Sequence, residues 1–191
     1  MRISVFLSFI LLVSCQSVEQ KVIDEYFDVT GLIHEQFQLL ELKRATLSKV
    51  AIFGSDTVKA DIVPDSSQWK NELRIFERID INKPQWRGQY QIEDTEDRFS
   101  NLTIRTFTTT NDEAEVKYLR LYFLDHVADL RKIEARWQEN NPIYKSQRDL
   151  TLHFEDINDS IILNGYEIKG IQKMTLQDEV SFSINAGINH P

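Results

Sequence analysis

The stretch VKYLRLYFLDHVADLRKIEARW, Val116 to Trp137, decides the fold, because two periods compete in it. Leu119, Phe123, Val127, Leu130, Ile133 and Trp137 fall on one helical stripe. Ile133, Ala135 and Trp137 also alternate cleanly with Lys132, Glu134 and Arg136, which is the period of a strand. Val116–Leu124 is dense in the aromatic and aliphatic residues that strands favour. The preferred reading is two strands meeting near Asp125–Asp129, and a helix is the alternative. Only Lys117 and Arg120 are charged in Val116–Leu124, so both faces of the first strand read as largely apolar. Helices would cover one face, and more sheet, a ligand or a partner the other.

Toward the C-terminus the period of two continues. Leu150, Leu152 and Phe154 alternate with Thr151, His153 and Glu155, and Val180, Phe182, Ile184 and Ala186 alternate with Ser181, Ser183 and Asn185. Turn signals are read at Asn111-Asp112, Asn140-Asn141-Pro142, Asn158-Asp159, Asn164-Gly165 and Gln177-Asp178. Short connections of this kind give an antiparallel meander, since parallel pairing needs long crossovers. Toward the N-terminus the period changes. Residues 23–48 carry the helical stripe Tyr26, Val29, Ile33, Phe37, Leu40 and Leu47, with a kink or late start at Thr30-Gly31. Val50 to Val63 reads as a strand pair around Gly54-Ser55-Asp56. Asp65 and Gln68 form a capping box for a second helix with the stripe Trp69, Leu73, Phe76 and Ile79, ending at Asn82-Lys83-Pro84. The expected fold is α+β: one domain over residues 23–188, with N-terminal helices packed on a long antiparallel meander for which a half-barrel is one possible form.

The 191 residues carry 30 acidic and 22 basic side chains, a net charge of −8, which argues against a nucleic-acid partner. The single cysteine, Cys15, excludes a disulfide framework. Met1-Arg2 precedes an apolar run from Ile3 to Val13, which as a helix spans about 16 Å, roughly half a bilayer's hydrocarbon core. This is the pattern of a signal peptide. It ends in Leu12-Val13-Ser14-Cys15, which resembles a bacterial lipobox. The resemblance implies removal of residues 1–14, acylation of Cys15 and a lipidated tether over residues 15–22. Gln16 and Ser17, with no Asp after the cysteine, imply by the same resemblance the outer membrane of a cell envelope, facing the periplasm.

The chemical motifs are incomplete. His34-Glu35-Gln36-Phe37-Gln38 starts like a zinc-protease helix but places Gln38 where the second imidazole belongs. Asp156, Asn158 and Ser160 are spaced like a calcium loop, yet Ile161 occupies the glycine position. Glu93-Asp94 and Glu96-Asp97 read as a solvated acidic loop. No nucleophile elbow or phosphate-cradling glycine loop is present. The expectation is therefore no catalytic residue, no metal and no cofactor. Trp69, Phe76, Phe123 and Trp137 are the candidates to face an apolar ligand, against a default role as core.

The segments Asn141-Pro142-Ile143-Tyr144-x-Ser146-x-Arg148 and Tyr166-x-Ile168-x-Gly170-x-Gln172-Lys173 resemble small uncharacterised lipoproteins of Gram-negative outer membranes, which implies no activity. The layout also resembles the half-barrel lipoprotein carriers at the level of fold alone. Two functions are expected from the apolar surface along Val116–Leu124 and the anchoring lipid. The first is a membrane-anchored interaction or structural protein with an envelope protein partner. The alternative is a periplasmic carrier for a lipid-like apolar ligand.

Overall fold

Asp28 starts the first helix. Its carboxylate accepts a hydrogen bond from the Gly31 N–H, capping α1 (Val29–Leu42). A Cβ at Gly31 would run into that carboxylate, so Thr30-Gly31 marks the helix start rather than a kink. These features come from a computed structural model that describes residues 25–191 apart from Gln177. Cys15, the leader of residues 1–14, the tether of residues 15–22 and the first residues of the expected domain lie outside the described residues.

Helix α1 buries Val29, Ile33, Gln36 and Leu40 along one face. It ends earlier than its stripe predicts, because Arg44 takes a positive φ of 50° and breaks the helical path. Leu47 therefore belongs to strand β1 (Thr46–Phe53), where it is buried and pairs with Ile188. A tight turn at Gly54-Ser55, with Gly54 at φ 59°, leads into β2 (Asp56–Ile62). Asp65 and Gln68 make the expected capping box of α2 (Ser66–Leu73). The second stripe then continues through a 3₁₀ turn, Phe76–Ile79, and a further 3₁₀ turn at Pro84–Trp86 precedes the sheet.

Seven strands follow: β3 (Gln91–Glu96), β4 (Thr103–Thr108), β5 (Val116–Phe123), β6 (Leu130–Asn140), β7 (Tyr144–Asp156), β8 (Ile161–Met174) and β9 (Val180–Asn189). Residues 116–137 are thus two strands, with a 3₁₀ turn at Val127–Asp129 between them. All nine strands form one open antiparallel sheet in the order β2-β1-β9-β8-β7-β6-β5-β4-β3. The meander runs from β3 to β9, and the N-terminal hairpin docks on its far edge through β1 and β9. The class is α+β, as expected.

Register sorts the side chains onto two faces. Lys49, Ala186, Tyr166, Leu152, Ile133 and Leu121 form one row across the sheet, on the face that packs against the helices. The next row on the opposite face runs Arg120, Glu134, Thr151 and Glu167. This corrects the expectation that β5 is apolar on both faces. Leu119, Leu121 and Phe123 enter the core, whereas Tyr118 and Tyr122 lie among charged neighbours on the other side.

Asn164-Gly165 is not a turn. Phe154 pairs with Leu163 and His153 with Gly165, which leaves Asn164 as the extra residue of a bulge inside β8. Glycine is required at 165 by close approach, since a Cβ would sit 2.8 Å from the Ala186 carbonyl oxygen of β9. Gly165→Ala is expected to lower stability by about 1–3 kcal/mol, because backbone rather than a movable side chain must yield. Urea unfolding measures this, and an unchanged midpoint would count against the β8–β9 register. Among the described residues no helix is long and apolar enough to cross a membrane.

Candidate functional site

The four aromatic residues expected to face a ligand are brought together, but in the core. Trp69 comes from α2, Phe76 from the 3₁₀ turn, Phe123 from β5 and Trp137 from β6, and all belong to one apolar cluster. Phe123 is 4% exposed and the other three at most 1%. Phe76 meets the ring of Tyr166 edge-on at 5.2 Å. The Tyr166 hydroxyl donates to Glu72 of α2, which also accepts from Lys49 Nζ at 2.7 and 2.8 Å. Burial, and then the hydrogen bond and charge of Glu72, push the Tyr166 phenol well above its ordinary range, so it stays a proton donor. This linkage ties α2 to β8 and β1.

Over β5, β6 and β7 the opposite face of the sheet carries an ionic network. Glu134 accepts from the Tyr122 hydroxyl at 2.7 Å and from Lys132 Nζ at 2.8 Å. Burial works against its charge, but those hydrogen bonds, with the charges of Lys132 and Arg120, prevail and hold its carboxyl below the usual range. Lys132 Nζ lies 3.8 Å above the Tyr122 ring, and Arg120 and Arg136 lie 4.6 and 5.5 Å from the Tyr118 ring centre. Arg136 pairs with Asp149 at 2.7 Å. These charges are satisfied by one another; farther along the same face Val50, Ile52 and Ile171 are exposed.

The ends of the sheet differ. Edge strand β3 presents Glu93, Asp94 and Glu96. The Arg105 hydrogen bonds and charge hold the Asp94 carboxyl below its ordinary range, against a small opposing effect of burial. Such charges guard an edge against strand addition. Edge strand β2 carries Val58, Ala60 and Ile62 on one face, and Val63 follows it. Val58 is 59% and Val63 67% exposed. On the same face, Phe53 of β1 stacks on Phe182 of β9 at 5.9 Å, with the rings 18° from parallel. Phe182 lies flat because Gly170 beside it has no side chain; a Cβ there would be 2.4 Å from the ring. Phe53 is nonetheless 47% exposed. An apolar surface thus adjoins a strand whose outer backbone edge is unpaired.

The sequence reading located this hairpin, with Val63 as its end, and the alternation that contains Phe182, without singling out Phe53, Val58 or Ile62. Alternation identifies a face, but only the reach of α1 and α2 decides which part of that face is covered. Elsewhere, His34 contacts Gln38 at 3.0 Å on the exposed side of α1. Among the described residues no three His, Cys, Asp or Glu side chains are grouped to share a cation. Comparison with known proteins finds no matching family model, no matching curated protein and no matching solved structure.

Proposed function

We propose that the chain is a non-catalytic binding protein of the cell envelope, anchored through lipid on Cys15, that receives a protein partner along the β2 edge. The observation that carries this reading is the apolar surface of Phe53, Val58, Ile62 and Val63 beside an unpaired edge strand. A partner strand laid against β2 would satisfy the free backbone groups, and its side chains would cover the exposed apolar ones. The filled interior favours this reading over a carrier, because Trp69, Phe76, Phe123 and Trp137 occupy the space that an apolar ligand would need.

The test separates the anchor from the edge. In the full-length chain, Cys15→Ala is expected to abolish membrane retention, and mass spectrometry of the wild type is expected to find a diacylglyceryl thioether on Cys15. Val58→Glu alters an exposed side chain, so stability is expected to change by about 0.5 kcal/mol or less. Cross-linking in envelopes is expected to trap a partner on wild type and to lose it, by tenfold or more, with Val58→Glu. Equal trapping by both chains would overturn the assignment of the edge. An unmodified Cys15 would overturn the anchor.

A further inference from the structure

Between α2, the 3₁₀ turn at Phe76–Ile79 and strand β7 lies an open cleft of about 540 Å³, lined by Asn71, Arg74, Glu77, Arg78, Lys83 and Arg148 among others. Four cations and one carboxylate share its wall in a protein whose net charge is −8. On the sheet, Arg105, Arg120, Arg131 and Arg136 each have a carboxylate within 4.0 Å. Arg74, Arg78 and Arg148 have none among the described residues, and Glu77 pairs with none of them. Lys83 is held by Glu115 at 2.6 Å.

Two of these guanidiniums lie over one ring. Arg78 and Arg148 lie 5.1 and 5.2 Å from the centre of the same ring, that of Trp137, which is 1% exposed and cannot swing away. Arg148 also approaches the Phe182 ring at 5.9 Å. Its Nε is shielded from solvent and has no hydrogen-bond acceptor among the described residues. Burying a charged donor without an acceptor is unfavourable, and gathering like charges on one ring adds to that. An oxyanion in the open cleft relieves the crowding of like charge through the outer guanidinium nitrogens; the enclosed Nε lies out of its reach.

We propose that this cleft binds a phosphate-bearing ligand through the guanidiniums of Arg78 and Arg148, with Arg74 at the rim. Guanidinium forks match the oxygens of a phosphate group in pairs. The volume lies in the range of small-molecule sites, so the cleft accommodates a phosphate together with an organic body. That phosphate belongs either to a soluble compound or to a lipid headgroup; the chemistry is shared, and the experiment separates the sources. This site meets the β2-edge surface only through Phe182, which lies between Arg148 and Phe53.

The test is calorimetric titration of the full chain in a neutral detergent at low salt. One probe is inorganic phosphate, against chloride at matched ionic strength. The other is dihexanoyl phosphatidylglycerol below its micelle concentration. Saturable one-site binding is expected, weakened at least tenfold by Arg78→Gln and by Arg148→Gln and unchanged by Arg98→Gln on the distant β3–β4 turn. If Arg148→Gln unfolds the chain, Arg74→Gln, at an exposed position, is expected to weaken binding alone. Tighter binding of phosphatidylglycerol than of phosphate assigns the headgroup, and the reverse order assigns a soluble phosphate compound. Absence of saturable binding for both probes, or equal affinities for Arg78→Gln and Arg98→Gln, would overturn the proposal.

Discussion

Phe76→Ala is expected to destabilise the protein by about 3–5 kcal/mol, the loss typical of emptying a buried aromatic site. Phe76 is 0% exposed and sits on a short 3₁₀ turn, which has little hydrogen bonding of its own to hold it. Its ring reaches from that turn to Tyr166 in β8, so removal leaves a void between the helical layer and the sheet. The truncated side chain loses its transfer energy, and the surrounding core loses dispersion contacts that relaxation only partly restores. Against a total stability of about 5–15 kcal/mol, the loss should bring the urea midpoint down sharply with an unchanged slope. A loss below about 1 kcal/mol would mean that the space around Phe76 is not tightly filled. That result would revive the carrier reading, because a loosely packed layer between helices and sheet is what an apolar ligand would occupy.

The second large effect is expected at Gln36, which is 1% exposed on the core face of α1. Strand β9 pairs with β8 only from Gly165 onward, so the backbone of Ile161–Leu163 has no strand neighbour on that side. The Gln36 side chain fills the gap. Its Nε2 donates to the Ile161 carbonyl at 3.0 Å, and its Oε1 accepts from the Leu163 N–H at 2.7 Å. His190 Nε2 adds a contact to the Leu163 carbonyl at 3.1 Å. One amide thus replaces a missing strand, satisfying a donor and an acceptor together. Gln36→Ala leaves two backbone groups unpaired, which is expected to cost about 2–4 kcal/mol. Gln36→Glu keeps the acceptor for Leu163 but turns an oxygen toward the Ile161 carbonyl, so it should not rescue stability. Hydrogen exchange reads the site directly: the Leu163 amide is expected to lose protection in Gln36→Ala. If it stays protected, β8 is held there by something other than α1.

These two positions bear on function. Phe76 and Gln36 lock the helical layer to the sheet, and with it Arg78 over Trp137. They act on the β2 edge only indirectly, since that hairpin is held mainly by β9. Loss of partner binding without loss of core stability would therefore point to the edge, and coupled loss of both to the helical layer.

The sequence by itself determined what local chemistry decides. Asp65 and Gln68 announced the start of α2, and Gly54-Ser55 the hairpin turn. The alternation of Ile133, Ala135 and Trp137 against charged neighbours favoured two strands over the helix that the stripe from Leu119 to Trp137 also allowed, and the two strands are what forms. The α+β class followed from the change of period. Tertiary structure alone decided what depends on distant partners. Leu47 leaves its helical stripe because β9, distant in sequence, offers β1 an edge on which Leu47 pairs with Ile188. Asn164-Gly165 becomes a bulge rather than a turn because β7 and β9 both pair through it. Gln36, polar on an otherwise apolar stripe, is explained only by the strand gap it fills. The candidate sites were the least legible of all. An arginine reads the same in sequence whether or not a carboxylate meets it in space, and a valine in a strand reads the same whether or not a helix reaches far enough to cover it. Alternation specifies a face, and only the packed neighbours specify what that face meets.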